Sequence, residues 1–302
     1  MENPKKYIDF HMHTKYSDGM ESPELLAMNV KLSGVDLAAK TDHDTIEGYW
    51  DFKAAADKLG LATIPGIEFS DKDYHILGLG FNPKDYDFWK LTERSKYYQR
   101  LTSEQRVHML KRHGIPITME KLDSFFPDSR LGKHNIYRTL YHDEECRSWI
   151  EQNLPDATPD DVFEYTLRKS GIAGTVEHYY DLERHVIIDG IHKVGGLAIV
   201  AHLPKQAKSM KELDELKEAG VDGFEVQPNF YGTNFGAVNY PDIESYAKRH
   251  DMFITYGSDY HGSIMPRSLL GRGMNAMSPE LEERLLGSTY GNDSETKEEC
   301  LV

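Results

Sequence analysis

Cysteine is scarce in this sequence. Cys146 and Cys300 are the only two among 302 residues, and they lie far apart in no metal-binding spacing. That excludes a disulfide framework and fits a reducing compartment, so a cytoplasmic protein is expected. Long apolar runs are also missing. There is no stretch of 18 apolar residues, and the opening Met1-Glu2-Asn3-Pro4-Lys5-Lys6 lacks the apolar core of a secretion signal. Neither a membrane span nor a leader is therefore expected. Basic charge is in deficit, with 35 Lys+Arg against 50 Asp+Glu and a net charge of −15. Stable binding to nucleic acid or to anionic membrane through bulk charge is thereby excluded, although a local basic patch could hold a phosphate or two. Against these shortages stands one surplus, 14 histidines. Neutral imidazole is a common ligand for borderline metals.

The chain reads as α/β. Tyr7 to His13 alternates like a strand. Ser22-Pro23-Glu24 has the N-cap, proline and early acid of a helix start, and that helix should stop at Gly34. A short strand over 35–39, a helix over 46–59 and strand-like runs over 61–68 and 75–81 follow. From about Asn82 to Arg184 the strand signals thin out, and a mainly helical insertion is expected. Alternation then resumes, with helices over 187–194, 210–219 and 243–250 and strands over 197–202, 221–226 and 253–258. Repeated strand–helix units imply parallel strands with right-handed crossovers, hence a β/α barrel interrupted by the insertion. The tail is polar and acidic.

The polar residues of interest fall at the ends of these expected strands. His11 and His13 end the first, and Asp18 follows in the next loop. His43 and Glu68 end the next units, and His75 opens another. His202 ends a later strand, and Asp259 and His261 follow the last. In β/α barrels that rim is where active sites are built, because strand ends distant in sequence converge there. His11 and His13 are two apart and project from one face of a strand. A shared cation would use both lone pairs, and Asp18, Glu68 and Asp259 supply the negative charge that several divalent ions need. Mixed imidazole and carboxylate donors suit Zn²⁺, Mn²⁺ or Fe²⁺ better than Ca²⁺ or Mg²⁺. Each piece has a plainer explanation: a chance His-x-His, a helix cap at Thr41-Asp42-His43-Asp44, a polar turn at 257–262, a core histidine at 202. Their joint placement outweighs those explanations.

These motifs resemble the PHP (polymerase and histidinol phosphatase) superfamily. Asp9-Phe10-His11-Met12-His13 with Ser17-Asp18-Gly19 is similar to its opening motif, and Thr41-Asp42-His43-Asp44 to its second. Pro65-Gly66-Ile67-Glu68 and His75-Ile76-Leu77-Gly78 resemble the next two. Ala201-His202 and Gly257-Ser258-Asp259-Tyr260-His261-Gly262 resemble the last. The resemblance covers about residues 5–82 and 186–275. It implies a distorted seven-stranded, TIM-like β/α barrel over 1–82 and 186–285, a helical cap over 83–185 and a polar tail over 286–302. It also implies two or three divalent ions. His11, His13, Glu68 and Asp259 would hold one. Glu68 would bridge to a second held by His75 and His202, and Asp18, His43 and His261 would hold a third. One departure is that Leu203-Pro204-Lys205 follows His202 where the family usually has Pro-Gly.

The function so implied is hydrolysis of a small-molecule phosphate ester, a nucleotide such as a nucleoside monophosphate or a sugar phosphate, by metal-activated hydroxide. The alternatives are a phosphodiesterase or exonuclease acting on cyclic phosphates or short oligonucleotides, and a metal-dependent C–N hydrolase. A non-catalytic metal-binding module is disfavoured because every ligand position is kept. The leaving alkoxide needs a proton, for which His202, His134 and His178 are candidates, with Asp259 also assigned to the catalytic set. Asp9 and Asp42 are candidates for orienting ligand histidines. Residues 88–138 carry 11 Lys/Arg against 5 Asp/Glu, whereas residues 139–185 carry 4 against 11. Within the basic half, Arg130, Lys133, His134 and Arg138 cluster around an expected helix start, a ready phosphate site. With His178 they are the expected substrate contacts.

Overall fold

The computed structural model describes residues 6–174, 176, 182–203, 209–226, 240–264, 269–271 and 275–287, which form eleven α-helices and nine strands. The ladders make two sheets. One runs β3 (Ala62–Thr63), β2 (Leu37–Ala38), β1 (Tyr7–Asp9), β9 (Asn275–Ala276). The other runs β4 (Gly66–Ser70), β5 (His75–Leu79), β6 (Leu197–Val200), β7 (Gly223–Val226), β8 (Phe253–Tyr256). Among the described residues these ladders form no single closed ring. Isolated parallel bridges, Met12 to Tyr260 and His43 to Glu68, join the two sheets.

The sheets are mixed, where the sequence rhythm implied parallel strands throughout. β5 is antiparallel to both β4 and β6, and β9 is antiparallel to β1. The cause is local. Only residues 71–74 separate β4 from β5, too few for a crossover, so the chain must turn back. Asp71 Oδ1 accepts the N–H groups of Asp73 and Tyr74 and folds the turn. Glu68 consequently sits in the middle of β4 rather than at a strand end.

Helix α1 (Pro23–Leu32) starts as expected, with Ser22 Oγ capping Leu25 N and proline at the first turn. Helix α2 (Tyr49–Leu59) begins three residues later than the apolar pattern suggests, because Gly48 takes a left-handed conformation before it. These two helices pack Leu26, Val30, Phe52 and Ala56 against the first sheet. Ile8, Phe10, Leu77 and Ile199 fill the space between the sheets. Each such buried large side chain contributes about 1.5–3 kcal/mol.

The stretch after β5 is helical, as its composition suggests. It comprises α3 (Tyr86–Arg112), α4 (Met119–Phe125), α5 (Lys133–His142), α6 (Glu144–Asn153) and α7 (Pro159–Thr166). It has its own apolar cluster, including Leu110, Ile117, Leu122, Ile136 and Val162. The 27 residues of α3 span about 40 Å. The first half of this helix joins the main core through Phe88, and its second half joins the cluster of the helical stretch through Val107 and Leu110. No helix among the described residues is long and apolar enough to cross a membrane.

Candidate metal centre

The loops beyond β1, β2, β6 and β8 and the strands β4 and β5 bring nine donor side chains to one place. Glu68, fully buried, is the hub. Its Oε1 lies 2.9 Å from His75 Nδ1 and 3.1 Å from His202 Nε2. Its Oε2 lies 3.1 Å from His11 Nε2, 3.3 Å from His13 Nε2 and 3.0 Å from His43 Nδ1. Asp259 Oδ1 stands 3.5 Å from both His11 Nε2 and His13 Nε2. Asp18 closes the far side, with Oδ1 3.3 Å from His261 Nε2 and Oδ2 3.8 Å from His43 Nε2. Every ligand position expected from the sequence is thus within one cluster.

Among the described residues several buried atoms of these side chains have no hydrogen-bond partner: His11 Nε2, His13 Nε2, His43 Nδ1, His202 Nδ1 and Glu68 Oε2. Buried polar atoms are normally paired, and each exception calls for an explanation. The separations supply one. Donors about 2.1 Å from a tetrahedral cation lie about 3.4 Å from one another, close to the spacings around Glu68 Oε2 and Asp259 Oδ1. Three donor groups can each embrace one ion: His13 with Asp18, His43 and His261; His11 with His13 and Asp259; and His43 with Glu68 and His75. The residues fit divalent cations.

The electrostatics agree. Burial opposes ionisation of Glu68, but His11, His43 and His75 outweigh it and hold the carboxyl well below its ordinary range. Asp18 is likewise held low, against burial, chiefly by His261 and His43. His13 is pushed down to about 3 by burial and by His261 beside it. The neighbouring His11 goes the other way: Glu225, Glu68 and Asp259 overcome its burial and raise it. Glu225 stands beside His11, whereas the rings of His261 and His43 stand beside His13.

Backbone strain collects here. Among the described residues four non-glycine residues have positive φ, and three belong to this region: Asp44 at 53°, His202 at 34° and Asp259 at 53°. Such conformations persist where the surroundings over-determine them. Supporting bonds are dense. Asp42, buried, accepts from Thr14 N, Thr14 Oγ1 and Lys40 Nζ at 2.6–2.7 Å, and from Ser17, whose Oγ lies 3.4 Å from His13 Nδ1. Asp9 Oδ1 accepts the N–H groups of His11 and Ser258.

The expected substrate contacts divide. His134 Nδ1 is 2.9 Å from Asp18 Oδ2, and its ring stands edge-on to His261. Arg138 donates to Gly19 O at 3.2 Å. Lys133 opens α5, and among the described residues no carboxylate pairs with it. Burial and the nearby Arg106 and Arg168 lower its pKa to about 8. Arg130 points elsewhere: its Nε and Nη2 bond Asp44 and Ser70. His178 lies outside the described residues. α5 is seated on the loop that carries Asp18 by Asn135 Nδ2 donating to Ser17 O and Arg130 N donating to Tyr16 O.

Sequence reasoning missed Glu225, which is fully buried and 2.9 Å from His11 Nδ1. The signal was available, since Gly-Phe-Glu-Val is a charged residue in an otherwise apolar buried strand. Asp44 was passed over as a helix cap. It instead accepts from Ser70, Ser95 and Arg130.

The model of the PHP domain matches residues 9–123. A phosphoribosyl 1,2-cyclic phosphate 1,2-diphosphodiesterase of Eggerthella lenta is 26% identical over 262 residues, 85% of this chain and 94% of that protein. A 5'-3' exoribonuclease of Haemophilus influenzae is 26% identical over 265 residues, 85% and 90% respectively. Among solved structures, a protein from Bifidobacterium adolescentis assigned to the metal-dependent phosphoesterases superposes with a TM-score of 0.73. It is 23% identical, with 94% of this chain and 98% of that one covered. At that identity the likeness is one of fold.

Proposed function

We propose, from the premise that this chain belongs to the PHP family, that it is a metal-dependent phosphoesterase hydrolysing a small-molecule phosphate ester, a nucleotide or a sugar phosphate. The observation that carries the reading is the division of Glu68. One oxygen faces His75 and His202, the other faces His11, His13 and His43, and buried donors without hydrogen bonds surround it. A single carboxylate so placed suits two cations, and Asp18 with His43 and His261 suits a third. Zn²⁺, Mn²⁺ and Fe²⁺ match this donor set. Bound divalent cations would depress the pKa of water and neutralise phosphate charge.

The chain's own residues supply the rest. Residues 1–82 and 186–285 form the metal-binding barrel in this reading, and residues 83–185 form a cap over its mouth. His134, hydrogen-bonded to Asp18 and partly exposed, is set to deliver a proton to the leaving alkoxide. Lys133 and Arg138 offer positive charge on the same helix for a phosphate oxygen. Arg130 holds the cap to the Asp44 loop, and so acts on substrate through the position of α5.

A second reading, a phosphodiesterase acting on cyclic ribose phosphates or RNA ends, is favoured by the activities named for the two relatives above. Release of products from AMP, a nucleoside 3',5'-bisphosphate, a ribose cyclic phosphate and a short 5'-phosphorylated RNA, compared with the same metal-loaded protein, separates the readings. Turnover of the monoesters supports the first, and preference for the cyclic ester or the RNA supports the second. No turnover of any of them, nor of a sugar phosphate, contradicts both.

A further inference from the structure

We infer that Glu225 is a positioning residue of the metal centre: one buried carboxylate fixes the ring of His11 and the backbone of His202, and so sets donors on both sides of Glu68. The inference rests on the metal-dependent reading above and assigns a role to a residue outside the nine donors.

The geometry is specific. Both oxygens of Glu225 lie 2.9 Å from His11 Nδ1, and Oε2 also accepts the backbone N–H of His202 at 2.7 Å. The carboxylate that takes the His202 N–H also accepts at Nδ1, so a neutral His11 ring carries its proton there. His11 Nε2 then keeps its lone pair. That is the atom 3.1 Å from Glu68 Oε2 and 3.5 Å from Asp259 Oδ1. The opposite tautomer would place a hydrogen on the nitrogen that would hold a cation.

His202 needs the same carboxylate for a different reason. Its φ of +34° is a conformation that a non-glycine residue holds only under constraint. The bond from its N–H to Glu225 is such a constraint, and the side chain so directed brings Nε2 to 3.1 Å from Glu68 Oε1. Gly257 completes the arrangement, because a Cβ there would collide with Glu225 Oε1 and with His11. Both oxygens of Glu225 are occupied on the Nδ1 side of His11, the side away from the shared donors, so Glu225 acts through His11 and His202 and not as a ligand.

Two experiments test this. In Zn²⁺-loaded wild-type protein, long-range proton–nitrogen NMR is expected to find the His11 proton on Nδ1 and the cation on Nε2. Coordination through Nδ1 would overturn the inference, whether or not any variant folds. In Glu225→Gln one of the two acceptors facing Nδ1 becomes an amide donor in either orientation, which weakens the hold on the Nδ1 proton. Zn²⁺ affinity measured by chelator competition is expected to fall about 10–100-fold in Glu225→Gln with the circular dichroism spectrum unchanged. A folded variant with wild-type Zn²⁺ affinity and stoichiometry would overturn the inference while leaving the metal-dependent reading intact. Failure of the wild type to bind Zn²⁺, Mn²⁺ or Fe²⁺ would remove both.

Discussion

Arg130 Nε lies 2.9 Å from Asp44 Oδ2, and this buried pair ties the segment before α5 to the loop after β2. Asp44 also accepts from Ser70 N, Ser70 Oγ and Ser95 Oγ, at 2.7–2.9 Å. One carboxylate thus joins β4, α3 and the approach to α5 beside the metal centre.

Breaking that pair should leave Asp44 as an uncompensated buried charge. Arg130→Met is expected to cost about 3–5 kcal/mol of stability, read by urea denaturation, and to weaken turnover by loosening α5. Unchanged stability with a raised KM alone would instead make Arg130 a direct substrate contact.

The donors were legible in the sequence because their chemistry is carried by residue type and motif, which need no knowledge of strand pairing. His11, His13 and Asp259 meet as their motifs suggested. The pairing itself was hidden. Nothing in the apolar pattern of 66–79 distinguishes a crossover from a hairpin, and the decision rests on the four-residue turn that Asp71 closes. Asp44 was hidden for a related reason: a buried charge is recognised by its partners, which come from distant segments.

Lys133 should make substrate binding sensitive to alkaline pH. Its pKa in the folded chain is lowered to about 8, first by burial and then by Arg106 and Arg168. The folded state therefore favours the neutral amine, and the penalty for the charged form is present below about pH 8 and relieved as pH rises through it. If Lys133 contacts phosphate, KM is expected to rise several-fold between pH 7 and 9 as the charge is lost. Lys133→Arg should flatten that profile, because guanidinium stays charged. The same KM profile in both proteins would exclude the contact.

His134 should matter to turnover more than to metal binding. His134→Ala is expected to lower kcat by about 10²–10⁴ if the ring is the general acid, with metal content unchanged. The effect should be smaller for substrates whose leaving group needs no proton, such as p-nitrophenyl phosphate. An equal loss with both leaving groups would contradict the acid role.

Chelation should destabilise as well as inactivate. With a cation at 100 times its Kd, the folded state is favoured by about 2.7 kcal/mol per site. Removal by EDTA is therefore expected to lower Tm, and re-addition of Mn²⁺ or Zn²⁺ to restore it. A Tm indifferent to both treatments would mean that the buried donors satisfy one another.

The most direct check of the cluster around Glu68 is elemental analysis of the purified protein beside His13→Ala and Asp259→Ala. The wild type should carry two to three equivalents of a transition metal or zinc. Each variant should fold, lose at least one equivalent and lose phosphoesterase turnover. A wild type free of such metals after exposure to Mn²⁺, Zn²⁺ and Fe²⁺, or variants with full metal content and turnover, would contradict the metal centre itself.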